Sequence, residues 1–425
     1  MKELIDLTNV STSPFHAIEQ AKKQLLAGGF TEIQMRDEWE LKRGGKYLVI
    51  HHLTSLFAFT VGQEFTESEG VRIAAAHGDF PTFCIKPNPE MVKDGYVQLN
   101  VEPYGGANLG SWQNRPLSVA GRIVLKSADP FKPLTRLVDF KRPILIIPSI
   151  AMHLEREMNK GVPLNPQTHM LPLLGMTDEK VISGLLDEMI GSSLGVDRED
   201  ILDYELYLYN TDEGCFVGMS DEFISAPRLD NVSSVHALLQ GILEEERAQG
   251  INLIAIFDHE EVGSKTKQGA GSTVLANILE KIYLSLGSTK VSFMNALTDS
   301  MLMSVDVSHA LHPSYAMKND PTNKVVLNKG MCIKEACSQS YATDGEMVAI
   351  IQQICQQEGI PYQRFVNRSD GTRGGTLGSI ASTMLPVRTA DIGIPLLAMH
   401  SSREMMGSKD QESLIRFIQA YFRLI

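Results

Sequence analysis

Residues 71–79 read Val-Arg-Ile-Ala-Ala-Ala-His-Gly-Asp, an apolar run that ends on His77 with an acid, Asp79, two residues further on. A short apolar run of this kind, bounded by a polar stop, has the pattern of a strand buried on both faces. In an open α/β sheet the side chains at the carboxyl end of such a strand face the crevice where ligands sit. His77 therefore stands where chemistry is expected.

The text on either side supports that frame. Residues 13–26 have helical spacing (Phe15, Ile18, Ala21, Leu25), with Ser13 as cap and Pro14 in the first turn. Residues 47–50 and 56–61 look like strands joined by a turn. From Asp230 onward a helix over 232–246, a strand over 253–257 and a helix over 272–286 are predicted. Further on come a helix over 345–355, strands near 362–366 and 395–399, a helix near 377–385 and a last helix over 411–422. Alternation of this kind predicts a mainly parallel sheet between layers of helices. The stretch between 85 and 215 reads differently. Turn clusters (Lys86-Pro-Asn-Pro89, Tyr104-Gly-Gly-Ala-Asn-Leu-Gly110) alternate with short β-like runs such as 117–125, and an acidic-basic helix is predicted over 178–190. The expected organisation is an α/β domain made of residues 1–84 and 216–425, interrupted by a β-rich domain over 85–215.

Composition narrows the possible roles. The chain has 425 residues with 43% hydrophobic side chains, enough for a large core and roughly two or three domains. A formal charge of −12 disfavours nucleic acid or an anionic membrane as partner. The cysteines (Cys84, Cys215, Cys332, Cys337, Cys355) are too few and too irregularly spaced for a disulfide framework or a zinc knuckle, and Cys332 and Cys337 read as buried thiols. The opening MKELIDLTNV lacks the apolar centre of a signal peptide, and no apolar run approaches the roughly 18 residues of a membrane span. The expected location is cytoplasmic.

Five short blocks carry the chemistry. His77 closes its strand and is followed by Asp79. Asp230 sits in Arg-Leu-Asp-Asn before a helix. Glu260 and Glu261 follow the strand at 253–257 in Asp258-His-Glu-Glu-Val-Gly-Ser264. Asp306 lies in Ser-Val-Asp-Val-Ser-His, and His400 ends a strand in Ala-Met-His-Ser-Ser. Taken singly, each has an ordinary explanation: a hydrogen-bonded strand-end histidine, a helix cap, a solvated pair of glutamates. Together, two imidazoles and several carboxylates form the ligand set that suits zinc, with cobalt or manganese as alternatives. Two divalent ions can share Asp230 as a bridge, one held by His77 and a carboxylate, the other by His400 and a carboxylate. With Glu261 and Asp306 as those carboxylates, three negative charges face four positive ones, leaving +1 for a hydroxide to neutralise. Glu260 then remains free as general base, and Asp79 orients His77 through its other ring nitrogen.

At these residues the sequence resembles the aspartyl aminopeptidase family, which includes the yeast vacuolar leucine-preferring aminopeptidase. The anchors are Ala75-Ala-His-Gly-Asp-Phe-Pro81, Pro227-Arg-Leu-Asp-Asn231, Asp258-His-Glu-Glu-Val-Gly-Ser264, Asp306-Val-Ser-His-Ala-Leu-His-Pro313 and Leu397-Ala-Met-His-Ser-Ser-Arg-Glu-Met405, in order along nearly the whole chain. The resemblance implies a three-layer α/β/α zinc-exopeptidase domain, an inserted β-rich dimerisation domain and a tetrahedral homododecamer. It implies His77, Asp230, Glu261, Asp306 and His400 as metal ligands and Glu260 as catalytic base. The implied reaction is removal of single residues from peptides with a free N-terminus.

It also points to His153, in Ile150-Ala-Met-His-Leu-Glu-Arg156, as a histidine that reaches a neighbouring subunit's active site, with metal contact as the alternative. From its own context His153 reads as a helix-surface residue. Lys334 and Tyr341 match positions that contact substrate. Gly78 stands where the family usually has Thr, and the residues between Lys334 and Tyr341 differ from those of acidic-preferring enzymes, so the preferred N-terminal residue does not carry over. His309 and His312 read as capping or packing groups near the site. Two rival readings share many of these features: another dinuclear amidohydrolase, and a self-assembling shell protein without turnover.

Overall fold

Strand Val71–His77 lies near the middle of a nine-stranded sheet in the computed structural model, which describes residues 1–244, 246–371 and 374–424. From one edge the strands run Thr31–Glu32, Lys46–His51, Ser55–Val61, Ile251–Phe257, Val71–His77, Met301–Val305, Arg388–Gly393, Met331–Glu335 and Tyr362–Val366. The four central strands, Ile251–Phe257 to Arg388–Gly393, are mutually parallel, and antiparallel pairs appear only towards the edges. Side-chain alternation builds two cores from one sheet. Ala74, Ala76, Ile254 and Ile256 pack with Leu239, Ile351 and Phe417 of the helices on one face. Ile73, Ala75, Leu253 and Phe257 pack with Ile278, Leu279 and Ala381 on the other. The result is a three-layer α/β/α arrangement.

Local signals set the helix limits. Ser13 accepts the backbone N–H of His16 at the start of Pro14–Ala27, and Asp344 accepts that of Met347 at the start of Gly345–Glu358, which ends on left-handed Gly359. The sequence predicts a helix over 232–246; the observed one is Leu229–Glu244, and position 245 of the prediction lies outside the described residues.

A six-stranded antiparallel sheet is built from residues 82–210 and encloses its own apolar cluster, including Phe83, Leu99, Trp112, Val119 and Leu206. Two expectations fail here. Lys86-Pro-Asn-Pro89 is not a turn between strands; it lies inside the single strand Thr82–Lys93, where a register shift between Ile85 and Glu90 absorbs the prolines. The helix expected over 178–190 is Leu185–Leu194, because Gly184 takes a left-handed conformation (φ 73°) that a helix cannot continue through.

A five-stranded sheet, including Phe223–Ala226, Pro395–Leu397 and Glu404–Gly407, joins the segments that carry Asp230 and His400. All five cysteines are free; Cys332 is buried as expected, but Cys337 is exposed. No helix among the described residues is long and apolar enough to cross a membrane.

Candidate metal centre

Adjacent parallel strands deliver their acids to one place. His77 ends its strand, Glu260 and Glu261 form the short turn after Ile251–Phe257, and Asp306 follows Met301–Val305 directly. Asp230 stands in the first turn of Leu229–Glu244 with non-helical angles (φ −81°, ψ 105°), and the Asp230–Asn231 peptide is cis. His400 arrives from the five-stranded sheet in a left-handed conformation, φ 64°.

The Asp230 carboxylate divides the cluster in two. Its Oδ1 lies 3.5 Å from His77 Nε2, which is also 3.5 Å from Asp306 Oδ1. Its Oδ2 lies 3.3 Å from His400 Nε2, which is 3.6 Å from Glu261 Oε2. A tetrahedral zinc ion with bonds of about 2.0–2.1 Å holds its ligand atoms roughly 3.3–3.4 Å apart, so both halves have the spacing of a metal site. Asp230 Oδ1 and Glu261 Oε1 are buried without a hydrogen-bond partner, which is costly for a carboxylate unless a cation faces it. The residues fit two divalent ions.

Burial and mutual proximity shift the proton affinities within the cluster. Burial, reinforced by neighbouring acids, pushes Glu260 up to about 8 and Glu261 well above the usual carboxylate range. The hydrogen bond to Asp230 raises His400 to about 9. For His77, burial opposes the charged form, but contact with Asp306 and Asp79 overrides it and lifts the imidazole well above its ordinary value. Asp306 moves the other way, to about 2: burial would raise it, but the Lys334 ammonium and His77 more than compensate.

The surrounding contacts differ from the simplest expectation. His77 Nδ1 lies 3.1 Å from the backbone carbonyl of Asp79 and 3.4 Å from its carboxylate. That carboxylate accepts the N–H groups of Glu260 (3.2 Å) and Glu261 (3.1 Å) and the Tyr104 hydroxyl (2.6 Å). Asp79 thus grips the Glu260–Val262 turn as well as the histidine. The loop that follows strand Tyr96–Tyr104 also reaches the cluster. The Gly106 carbonyl lies 3.1 Å from His400 Nδ1, the Asn108 N–H donates to the His400 carbonyl, and Ser111 holds Ser402. A Cβ on Gly105 would sit 3.0 Å from Glu261 Cβ.

Of three further expected residues, His153 and Tyr341 are outside the cluster, while Lys334 borders it through Asp306. His153 is exposed on a turn, not on a helix. Lys334 is 1% exposed; its ammonium donates to the Val307 carbonyl at 2.7 Å, lies 3.7 Å from Asp306 Oδ2 and sits over the Tyr341 ring. Tyr341 is buried with Val325, Cys332 and Phe365. Among the other histidines, His312 caps a short turn by accepting the Ser314 N–H, while His309 approaches the Phe365 ring.

The model of the aminopeptidase I zinc metalloproteases, family M18, matches residues 7–422. The chain belongs to the M18 family. It is 44% identical over 425 residues to a probable M18 family aminopeptidase 2 of Clostridium acetobutylicum, covering 100% of this chain and 98% of that protein. Its fold superimposes on a chain of the cryo-EM structure of the Ape4 and Nbr1 complex with a TM-score of 0.95, at 31% identity, covering 99% of this chain and 85% of that one. Against a chain of the S. cerevisiae mApe1 dodecamer the TM-score is 0.85 at 25% identity, covering 99% and 95%. M18 membership carries metal-dependent aminopeptidase hydrolysis as the class of activity.

Glu404 escaped the sequence reading, although it lies in the block quoted for His400. So did Asp391, a fully buried acid that accepts from the Ala342 N–H and from Thr376. An acid following Ser-Ser-Arg carries no mark of burial in the sequence.

Proposed function

We propose that this M18 protein is a two-metal, zinc-dependent aminopeptidase in which His77, Asp306, Glu261 and His400 hold the ions, Asp230 bridges them and Glu260 moves the proton. The observation that carries the reading is the Asp230 carboxylate, with one oxygen turned to His77 and the other to His400. Two divalent cations, when bound, supply electrophilic polarisation of the scissile carbonyl and acidify the attacking water. The chain's own residues do the rest. Glu260 is the least buried acid of the cluster, its side chain 16% exposed against 4% for Asp230 and Glu261 and 11% for Asp306. Glu260 Oε2 takes a proton from the water that attacks the peptide carbon and passes it to the departing nitrogen. Asp79 keeps that carboxylate in place through the turn.

The division into residues 1–84 with 216–425 and an inserted unit over 85–215 is part of this proposal, supported by the separate core of the six-stranded sheet. So is assembly as a homo-oligomer, supported by the likeness to a dodecameric relative. In that assembly the exposed His153 reaches a neighbour's site.

The test combines metal analysis with substrate profiling. Expected are two ions per chain, hydrolysis of amino-acid p-nitroanilides that chelation abolishes and Zn2+ restores, and no cleavage of N-acetylated peptides. Glu260→Gln should keep both ions and lose at least about a hundredfold in turnover. Cleavage of blocked peptides would instead indicate another amidohydrolase, and metal-replete protein without any turnover would indicate a shell.

A further inference from the structure

Glu404 is a buried carboxylate, 2% exposed, at the start of strand Glu404–Gly407. Its neighbour Arg403 turns away, donating to Ser225 and to the Asp212 carbonyl. Both Glu404 oxygens are used on backbone. Oε2 accepts the N–H of Asp230 at 2.9 Å, and Oε1 accepts the N–H of His400 at 2.8 Å. A carboxylate taken out of water costs several kcal/mol unless its lone pairs are satisfied, and two N–H donors on separate oxygens satisfy it in one orientation only.

The connectivity explains why one residue reaches both. Glu404 pairs with Ala226, and the chain runs from Ala226 through Pro227-Arg-Leu to Asp230. On its other side His400 precedes Glu404 by four residues. The side chain therefore closes two loops at once, and each loop ends on a group facing the cluster. Asp230 Oδ2 and His400 Nε2 stand 3.3 Å apart beyond these two anchored backbones.

Resting on the metal-site reading above, we propose that Glu404 is a positioning residue that sets the geometry of the ion position formed by Asp230, Glu261 and His400. It touches no reacting atom and acts through the backbone of two ligands. The Glu261/His400 position hangs on Glu404 at both Asp230 and His400, whereas the His77/Asp306 position hangs on it at Asp230 alone. Its loss therefore weakens the two positions unequally.

The test is stepwise Zn2+ binding to the full chain, read by competition with a chromophoric chelator, for the wild type, Glu404→Gln and Glu404→Asp. Gln keeps one acceptor and turns an NH2 group against the other N–H; Asp keeps the charge but is too short for both. The expected result is a roughly 10–100-fold weaker affinity for one Zn2+, a much smaller change for the other and an unchanged fold by circular dichroism. Wild-type affinities in a folded variant, or equal loss of both ions, would overturn the positioning role. Failure of both variants to fold would overturn it too, because Glu404 would then serve the fold as a whole. A wild-type chain that takes up fewer than two ions would reject the metal-site reading itself, and this inference with it.

Discussion

Asp79 and Glu260 are joined by one hydrogen bond: the Asp79 Oδ1 accepts the Glu260 backbone N–H at 3.2 Å. The neighbouring Oδ2 does the same for Glu261 and also takes the Tyr104 hydroxyl. One carboxylate thus locks the turn that presents the proposed base and a proposed ligand. In Asp79→Asn, an NH2 group must face at least one donor of this set, whichever way the amide is turned. We expect kcat/KM to fall about 10–100-fold with the fold retained, the usual scale for groups that orient metal ligands. Unchanged kcat/KM in metal-replete Asp79→Asn protein would separate Asp79 from the function of the turn.

Gly105 offers a test from the opposite side. Its φ of 71° is open to glycine at little cost, and a Cβ there would stand 3.0 Å from Glu261 Cβ and 3.4 Å from Oε2. Gly105→Ala must either shift the loop that carries the Gly106 carbonyl or displace Glu261. Both movements reach the proposed Glu261/His400 position. A fall in kcat/KM of about tenfold or more is expected, with partial recovery when Zn2+ is raised, because the damage is to ligand placement. Activity that drops without any dependence on Zn2+ would locate the defect elsewhere.

Much of this site was legible because strand ends carry their own signature. Val71–His77 and Ile251–Phe257 are apolar runs that stop on, or just before, titratable groups. Met301–Val305 and Met331–Glu335 are harder to see, being short, Met-rich or interrupted by lysine, and their place in the sheet comes from pairing with distant strands. Glu404 was hidden for the same reason. Its burial depends on a strand pairing with Ala226, far away in sequence, and its partners are backbone groups that every residue possesses. The six-stranded sheet was visible as β-rich text, yet Pro87 and Pro89 masked a continuous strand because a bulge accommodates what a regular ladder would reject.

His236 gives a pH-dependent prediction away from the cluster. It is 2% exposed on helix Leu229–Glu244, with Nδ1 3.2 Å from the Gln411 amide and Nε2 3.9 Å from Glu3, whose side chain is largely in water. Burial, assisted by the positive N-terminus, lowers its pKa to about 4. The folded value lies below the unfolded one of about 6.5, so the unfolded chain binds the proton first and stability falls as pH drops from 6.5 towards 4. Well above pH 6.5 both states are neutral and the residue contributes no slope. Between pH 7 and pH 5 the loss is about 2 kcal/mol from this residue alone. Unfolding of His236→Gln should therefore be less pH-sensitive than wild type across that window. Parallel curves for the two proteins would mean that His236 protonates in the folded state as easily as in the unfolded one.

The exposed His153 separates a cis from a trans site. Its turn lies between strands Leu134–Asp139 and Leu173–Met176 of the six-stranded sheet, and His153 is in none of the candidate metal-holding groups among the described residues. If it serves a neighbour's site in a homo-oligomer, donation of a hydrogen bond to the carbonyl oxygen as negative charge builds there is worth about 3 kcal/mol, a factor of a hundred or more in turnover. His153→Ala should lose activity on that scale while retaining both ions, since the ligand set is untouched. Each of His153→Ala and Glu260→Gln should be nearly inactive alone. In mixed oligomers some contacts combine an intact Glu260 from one subunit with an intact His153 from another, so activity should reappear after subunit exchange. The control is native mass spectrometry to show that mixed oligomers have formed. Mixed assemblies that stay inactive, or isolated monomers with full turnover, would place His153 outside the reaction.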